Sequence, residues 1–74
     1  MLRKEDVKVG DKVHYQPSHY LKEDKFENGI VKEVPEHSLT SVRVVYHVRD
    51  NDWDNYKDYT SAMTDCMDLE KGWR

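Results

Sequence analysis

Ser41-Val42-Arg43-Val44-Val45-Tyr46-His47-Val48 is the stretch whose reading decides the fold. Alternation places Val42, Val44, Tyr46 and Val48 on one face and Arg43, Val45 and His47 on the other, which is the period of a half-buried β-strand. Just upstream, Pro35 closes a second β-branched run, Glu27-Asn28-Gly29-Ile30-Val31-Lys32-Glu33-Val34, which opens on an Asn-Gly pair that tolerates positive φ. Earlier still, Gly10-Asp11 reads as a turn into a short strand, with Val13 and Tyr15 on one face and Lys12, His14 and Gln16 on the other. Pro17 removes a ladder donor, and Ser18 to Glu27 is polar apart from Tyr20, Leu21 and Phe26, so a loop is expected there.

Downstream, periodicity and propensity disagree. Trp53, Tyr56, Thr60, Met63 and Met67 recur at helical spacing, with Asp52 as an N-cap and Gly72 as a stop. Asp, Asn, Thr, Ser, Tyr, Trp and Cys, all weak helix formers, nevertheless fill most of residues 53–69. One reading is therefore α+β, a three-stranded antiparallel sheet with a helix over residues 53–69. The other, which propensity favours, is all-β: a loop from Arg49 to Asn55, a strand from Tyr56 to Thr64, a helical turn from Asp65 to Leu69 and a short closing segment ending at Trp73.

Seventy-four residues suffice for a single small domain spanning 1–74. Hydrophobic and charged residues each make up 36% of the chain, so the core must be thin and the surface densely charged. Twelve Lys and Arg against 15 Asp and Glu leave a net charge of -3, which repels a phosphate backbone unless the positive charges segregate. Residues 1–34 carry seven charges of each sign, whereas residues 35–74 carry five positive and eight negative, so the acidity is local to the second half. No apolar run of about 18 residues exists, and the segment Met1-Leu2-Arg3-Lys4-Glu5-Asp6 has no apolar stretch, so neither a membrane span nor a secretory signal is expected. The lone Cys66 fits a reducing cytoplasm.

The succession of Val9-Gly10-Asp11-Lys12-Val13-His14-Tyr15, a long polar loop, Asn28-Gly29-Ile30-Val31-Lys32-Glu33-Val34 and Val42-Arg43-Val44-Val45-Tyr46 resembles the small barrels of the Src-homology-3, Tudor and KOW kind. The likeness covers about residues 7–48. It implies an open barrel of about five short strands with a C-terminal helical turn, and binding rather than catalysis. The whole chain, including Tyr59-Thr60-Ser61-Ala62-Met63-Thr64 and Asp68-Leu69-Glu70-Lys71-Gly72-Trp73, also resembles short stand-alone proteins of bacterial and phage genomes.

Chemistry-bearing residues follow from side-chain type and spacing. Asp50, Asp52, Asp54 and Asp58 occupy positions 1, 3, 5 and 9 of a calcium-loop pattern, with Tyr56 at the carbonyl position. Asn55 replaces the required Gly and Ser61 the closing Glu, and a β-branched run precedes the loop, so a solvated acidic loop is the expectation. His14, His19, His37 and His47 lack zinc-site spacing, and His14 and His47 read as exposed neighbours on an outward strand face. No metal or cofactor is expected. Tyr15, Tyr20, Trp53, Tyr56 and Tyr59 fall at strand ends or in the loops such barrels use for recognition, while Tyr15, Tyr46 and Trp73 read as core or core-edge. An aromatic face beside carboxylates attracts cations, so Asp50, Asp52, Trp53, Asp54, Tyr56, Asp58 and Tyr59 form the candidate surface for a basic protein partner. The alternative is an RNA- or DNA-binding barrel using Lys8, Lys12, Lys22 and Lys32, with Lys25, Arg43 and an aromatic such as Tyr20 or Phe26 in support. No nucleophile–base pair or phosphate-cradling Gly loop is evident, so catalysis is not expected. An open barrel leaves strand edges that a second copy can cover, which makes a monomer or weak homo-oligomer the expected state.

Overall fold

The computed structural model describes residues 2–17 and 26–74. The loop expected after Pro17, with His19, Tyr20, Lys22 and Lys25, lies outside the described residues. Five strands, β1 (Lys12–Tyr15), β2 (Glu27–Glu33), β3 (Ser41–Val45), β4 (Ala62–Asp65) and β5 (Leu69–Lys71), form one antiparallel sheet in the order β4-β3-β2-β1-β5. Only a 3₁₀ turn at Cys66–Asp68 joins the two edge strands, so the sheet is barrel-like and open. This is the all-β class that the strand pattern implies. No α-helix occurs among the described residues, so the helix over residues 53–69 is wrong.

Pairing puts Val13 opposite Gly29, Val31 opposite Val44, Val42 opposite Thr64 and Leu69 opposite Tyr15. One face thereby collects Val13, Val31, Val42, Val44 and Leu69, which with Val7 and Cys66 make the core, flanked by partly buried Leu2, Tyr15, Val34 and Tyr46. Burial of each such side chain is worth about 1.5–3 kcal/mol, which makes this cluster the main source of stability. At one margin, the Lys4 ammonium donates to the carbonyls of Pro35 and Ser38, tying the N-terminal segment to the β2–β3 connection.

Three strand expectations need correction. The Asn28-Gly29 pair does not use the positive φ that it tolerates: it lies inside β2, and Gly29 does not have positive φ. Its lack of a side chain serves close approach instead. A Cβ at Gly29 would stand 2.6 Å from Val44 Cγ1, 2.8 Å from the Val45 carbonyl and 2.9 Å from Tyr46 Cδ1. The strand read through to Val48 stops at Val45, and the strand read over Tyr56 to Thr64 exists only as Ala62–Asp65. Positive φ is needed at Gly10 (95°), where the turn into β1 bonds its amide to the Val31 carbonyl at 2.8 Å.

The face away from the core is also covered. Ile30 pairs with Val45 and with Lys12, and Ile30 and Val45 are 5% and 0% exposed although alternation puts Val45 on a polar face. Residues Trp53–Asp58 pack over β2, and the C-terminal residues fold back beside them. Trp73 donates its indole N–H to the Gly29 carbonyl at 2.8 Å, lies under the Lys12 ammonium at 4.7 Å and meets Trp53 edge-on at 4.9 Å. His14 is buried on this face too, not exposed: its Nδ1 lies 2.7 Å from the Gly72 carbonyl, and its ring meets Phe26 edge-on at 6.2 Å. Trp73 thus belongs to this second cluster rather than to the main core.

Replacing Gly29 by Ala forces the Val44 side chain and the β3 backbone to move, because two of the three contacts involve a β-branched side chain and main chain. Urea unfolding of Gly29→Ala is expected to show a loss of about 1–3 kcal/mol. Trp73→Ala, which removes the clamp on the second face, is expected to cost about 2 kcal/mol. Hydrogen exchange of the Asn55 and Tyr59 amides in that variant should accelerate more than exchange of the β3 amides, and equal acceleration would refute the clamp.

Candidate functional site

The segment from Arg49 to Tyr59 carries the residues singled out for partner binding. It is built from two 3₁₀ turns, Arg49–Asn51 and Trp53–Asp58, rather than the featureless loop and strand expected. Asp50 and Asn51 both adopt left-handed backbone, φ 52° and 58°, a conformation that Asp and Asn tolerate better than other side chains. Asp52 then organises the second turn. One carboxylate oxygen accepts from Asn55 Nδ2 at 2.8 Å and the other from the Tyr59 hydroxyl at 2.9 Å, while backbone bonds run from Asn55 N to Asp52 O and from Tyr59 N to Tyr56 O. The carboxylate beside Tyr59 holds its phenol protonated and raises its ionisation above the ordinary tyrosine value. Lys32, at the β2 bulge between Val31 and Glu33, donates its ammonium to the Tyr59 carbonyl at 2.7 Å and fixes the end of the segment.

The candidate residues therefore separate into two groups. Asp52, Trp53, Tyr56 and Tyr59 are half-buried and hold the loop in place: Trp53 lies against Trp73, the Tyr56 hydroxyl lies over Gly10, and Tyr59 is bound to Asp52. Asp50, Asp54 and Asp58 are exposed and project from this fixed segment. The calcium pattern does not close: both Asp52 oxygens are engaged, and among the described residues no group of three acidic, His or Cys side chains converges on one point.

Of the basic set, Lys12 stacks on Trp73, Lys32 is bonded to Tyr59, and Lys8 is exposed; Lys22 lies outside the described residues. Arg43 is half-buried opposite Glu33 and Met63, and Phe26 lies under the Arg74 guanidinium at 5.4 Å. Cys66 is buried, and burial, with Asp65 beside it, pushes its thiol up and makes it a poor nucleophile.

A second group of side chains converges at a groove that the sequence pattern does not group together. An open groove of about 490 Å³ runs along β4 and is lined by Tyr15, Glu27, Tyr46, Met63, Asp65 and Asp68 among others. Tyr15 and Tyr46 meet edge-on at 6.2 Å, and the Tyr46 hydroxyl lies 2.8 Å from Thr64 Oγ1. These residues come from β1, β2, β4, the chain just beyond β3 and a turn, so only the fold brings them together; the alternation that puts Val42, Val44 and Tyr46 on one face and the place of Tyr15 at a strand end were the available signals.

No family model matches this chain, and comparison with curated proteins and with solved structures gives no match. No helix among the described residues is long and apolar enough to cross a membrane.

Burial, reinforced by the charges of Glu27 and Asp68, pushes the Tyr46 phenol up to about 12. Its folded value lies above the ordinary 10, so the neutral phenol favours folding; that contribution is complete below pH 10 and is lost as pH rises through about 12. Alkaline ultraviolet titration should resolve a late tyrosine ionisation that Tyr46→Phe removes, and an unchanged titration curve in that variant would contradict the assignment.

Proposed function

We propose that this chain is a non-enzymatic protein-binding module whose acidic and aromatic loop, Asp50 to Tyr59, engages a basic surface or peptide on a partner. The observation that supports this reading is preorganisation. Asp50, Asp54 and Asp58 are exposed on a segment whose conformation is already set by Asp52, Tyr59, Lys32 and Trp73, so binding through them costs little ordering. The aromatic residues serve by holding the platform rather than by reaching out from it. The resemblance to short phage and bacterial proteins makes a host protein in the cytoplasm the partner to seek. Nucleic-acid binding is the weaker reading, because Lys12 and Lys32 are engaged within the chain.

The charges must be altered without touching Asp52, whose loss would unfold the loop. Tagged wild-type protein and the variant Asp54→Lys/Asp58→Lys are compared in capture from nuclease-treated lysate. A protein retained by the wild type should fall at least about tenfold in the variant while the circular dichroism spectrum is unchanged. Equal retention by both chains, or material retained only when nuclease is omitted, overturns the reading.

A further inference from the structure

The open seam of the sheet carries a second surface, distinct from the loop. Among the described residues β4 is an edge strand, bonded to β3 on one side only. The Cys66 amide donates to the Thr40 carbonyl at 2.8 Å, and antiparallel alternation from that bond makes Val42–Thr64 and Val44–Ala62 the hydrogen-bonded pairs. The main-chain groups of Met63 and Asp65 therefore face away from β3, towards the seam. Such an edge is a template for another strand. Beside it lie the two tyrosine rings, fixed by their edge-on contact and by the Tyr46–Thr64 hydrogen bond.

Charge identifies the occupant. Glu27, Asp65 and Asp68 line the groove, and its described lining contains no Lys or Arg; His47 is its one basic side chain. A second copy of the chain would bring the same carboxylates against one another, in a protein whose net charge is already -3. A cationic strand meets the opposite situation, with carboxylates flanking aromatic faces that attract ammonium or guanidinium groups. Burial raises the ionisation of Tyr46, and the charges of Glu27 and Asp68 add to that rise.

We propose that the seam beside β4 is a docking site for an extended basic segment of a partner protein, which pairs with the outward main chain of Met63 and Asp65 and lays a lysine or arginine side chain over Tyr15 and Tyr46 between Glu27 and Asp68. Its residues are separate from Asp50, Asp54 and Asp58, so it stands or falls independently of the loop.

The test is a titration of the full isotope-labelled chain with a peptide of alternating threonine and lysine, followed by NMR. The amide shifts should concentrate on Tyr15, Glu27, Met63, Asp65 and Asp68. Glu27→Lys/Asp68→Lys should weaken binding about tenfold or more, whereas Asp54→Lys/Asp58→Lys should leave it within about twofold. The neutral pair Glu27→Gln/Asp68→Asn, expected to weaken binding about threefold, supplies the same readout if charge reversal impairs folding. Methylating the peptide nitrogens that face β4 should weaken binding about tenfold, because it removes the donors of the added strand. The proposal is overturned by shifts centred on residues 50–59, by equal affinity of the Glu27 and Asp68 variants, by indifference to N-methylation, or by sedimentation showing that a second copy already occupies the β4 edge.

Discussion

The hydrogen bond from the Trp73 indole to the Gly29 carbonyl is the contact on which the arrangement of the second face depends. A five-stranded open sheet in a chain of this size has one face for its core, and the other must be polar or covered. Here it carries Ile30 and Val45, both buried, and the cover comes from two segments with little regular structure of their own. Trp73 anchors the first, Trp53 leans on Trp73, and the turn Trp53–Asp58 continues over β2. The Lys12 ammonium lies over the Trp73 ring as well. The tryptophan pair thus extends a thin core by a second layer without adding a helix.

Gly29 serves both layers. Its missing Cβ lets Val44 and Tyr46 approach the β2 backbone from the core face, while its carbonyl receives Trp73. Two residues further on, the bulge between Val31 and Glu33 changes the register of β2 against β3 and places Lys32 where its ammonium reaches the Tyr59 carbonyl. Bending and anchoring are therefore concentrated in one short stretch of β2, which explains why a sheet this small can curve round a core of Val and Leu and still hold a loop on its back.

Local patterns made the strands legible, and long-range contacts hid the rest. The Val42/Val44 alternation, the Gly10-Asp11 turn and the β-branched run before Pro35 were enough for three strands, and the weak helix formers of residues 53–69 tipped the reading to the all-β class. Residues 53–58 satisfied a helical spacing, yet Asp52 draws Asn55 and Tyr59 onto its own carboxylate, and that local competition breaks the helix into 3₁₀ turns. His14 and Val45 read as outward because their partners, Gly72 and the segment over β2, lie far away in the sequence or have no pattern of their own. Asn28-Gly29 read as a pair suited to positive φ for a similar reason: the sequence showed the missing side chain but not the Val44 methyl that requires its absence. The seven residues of the candidate loop lie within ten positions of the sequence, but their division into an inner set and an exposed set required the fold.

The two acidic surfaces differ in what they offer a cation. On the loop, the exposed carboxylates of Asp50, Asp54 and Asp58 face water, and each isolated pair with a basic group is worth little in that setting. At the seam, carboxylates flank half-buried tyrosine rings beside the β4 edge, which is bonded on one side only among the described residues, so charge, aromatic surface and main-chain groups are offered to one segment. Electrostatics on the loop favours rapid encounter with any basic surface, whereas the seam adds directional contacts that select an extended one. A partner with both a basic surface and an extended basic arm would use the first for approach and the second for register. That division follows from where the fold spends its aromatic residues: the tryptophans hold the loop from beneath, and Tyr15 and Tyr46 remain at the opening.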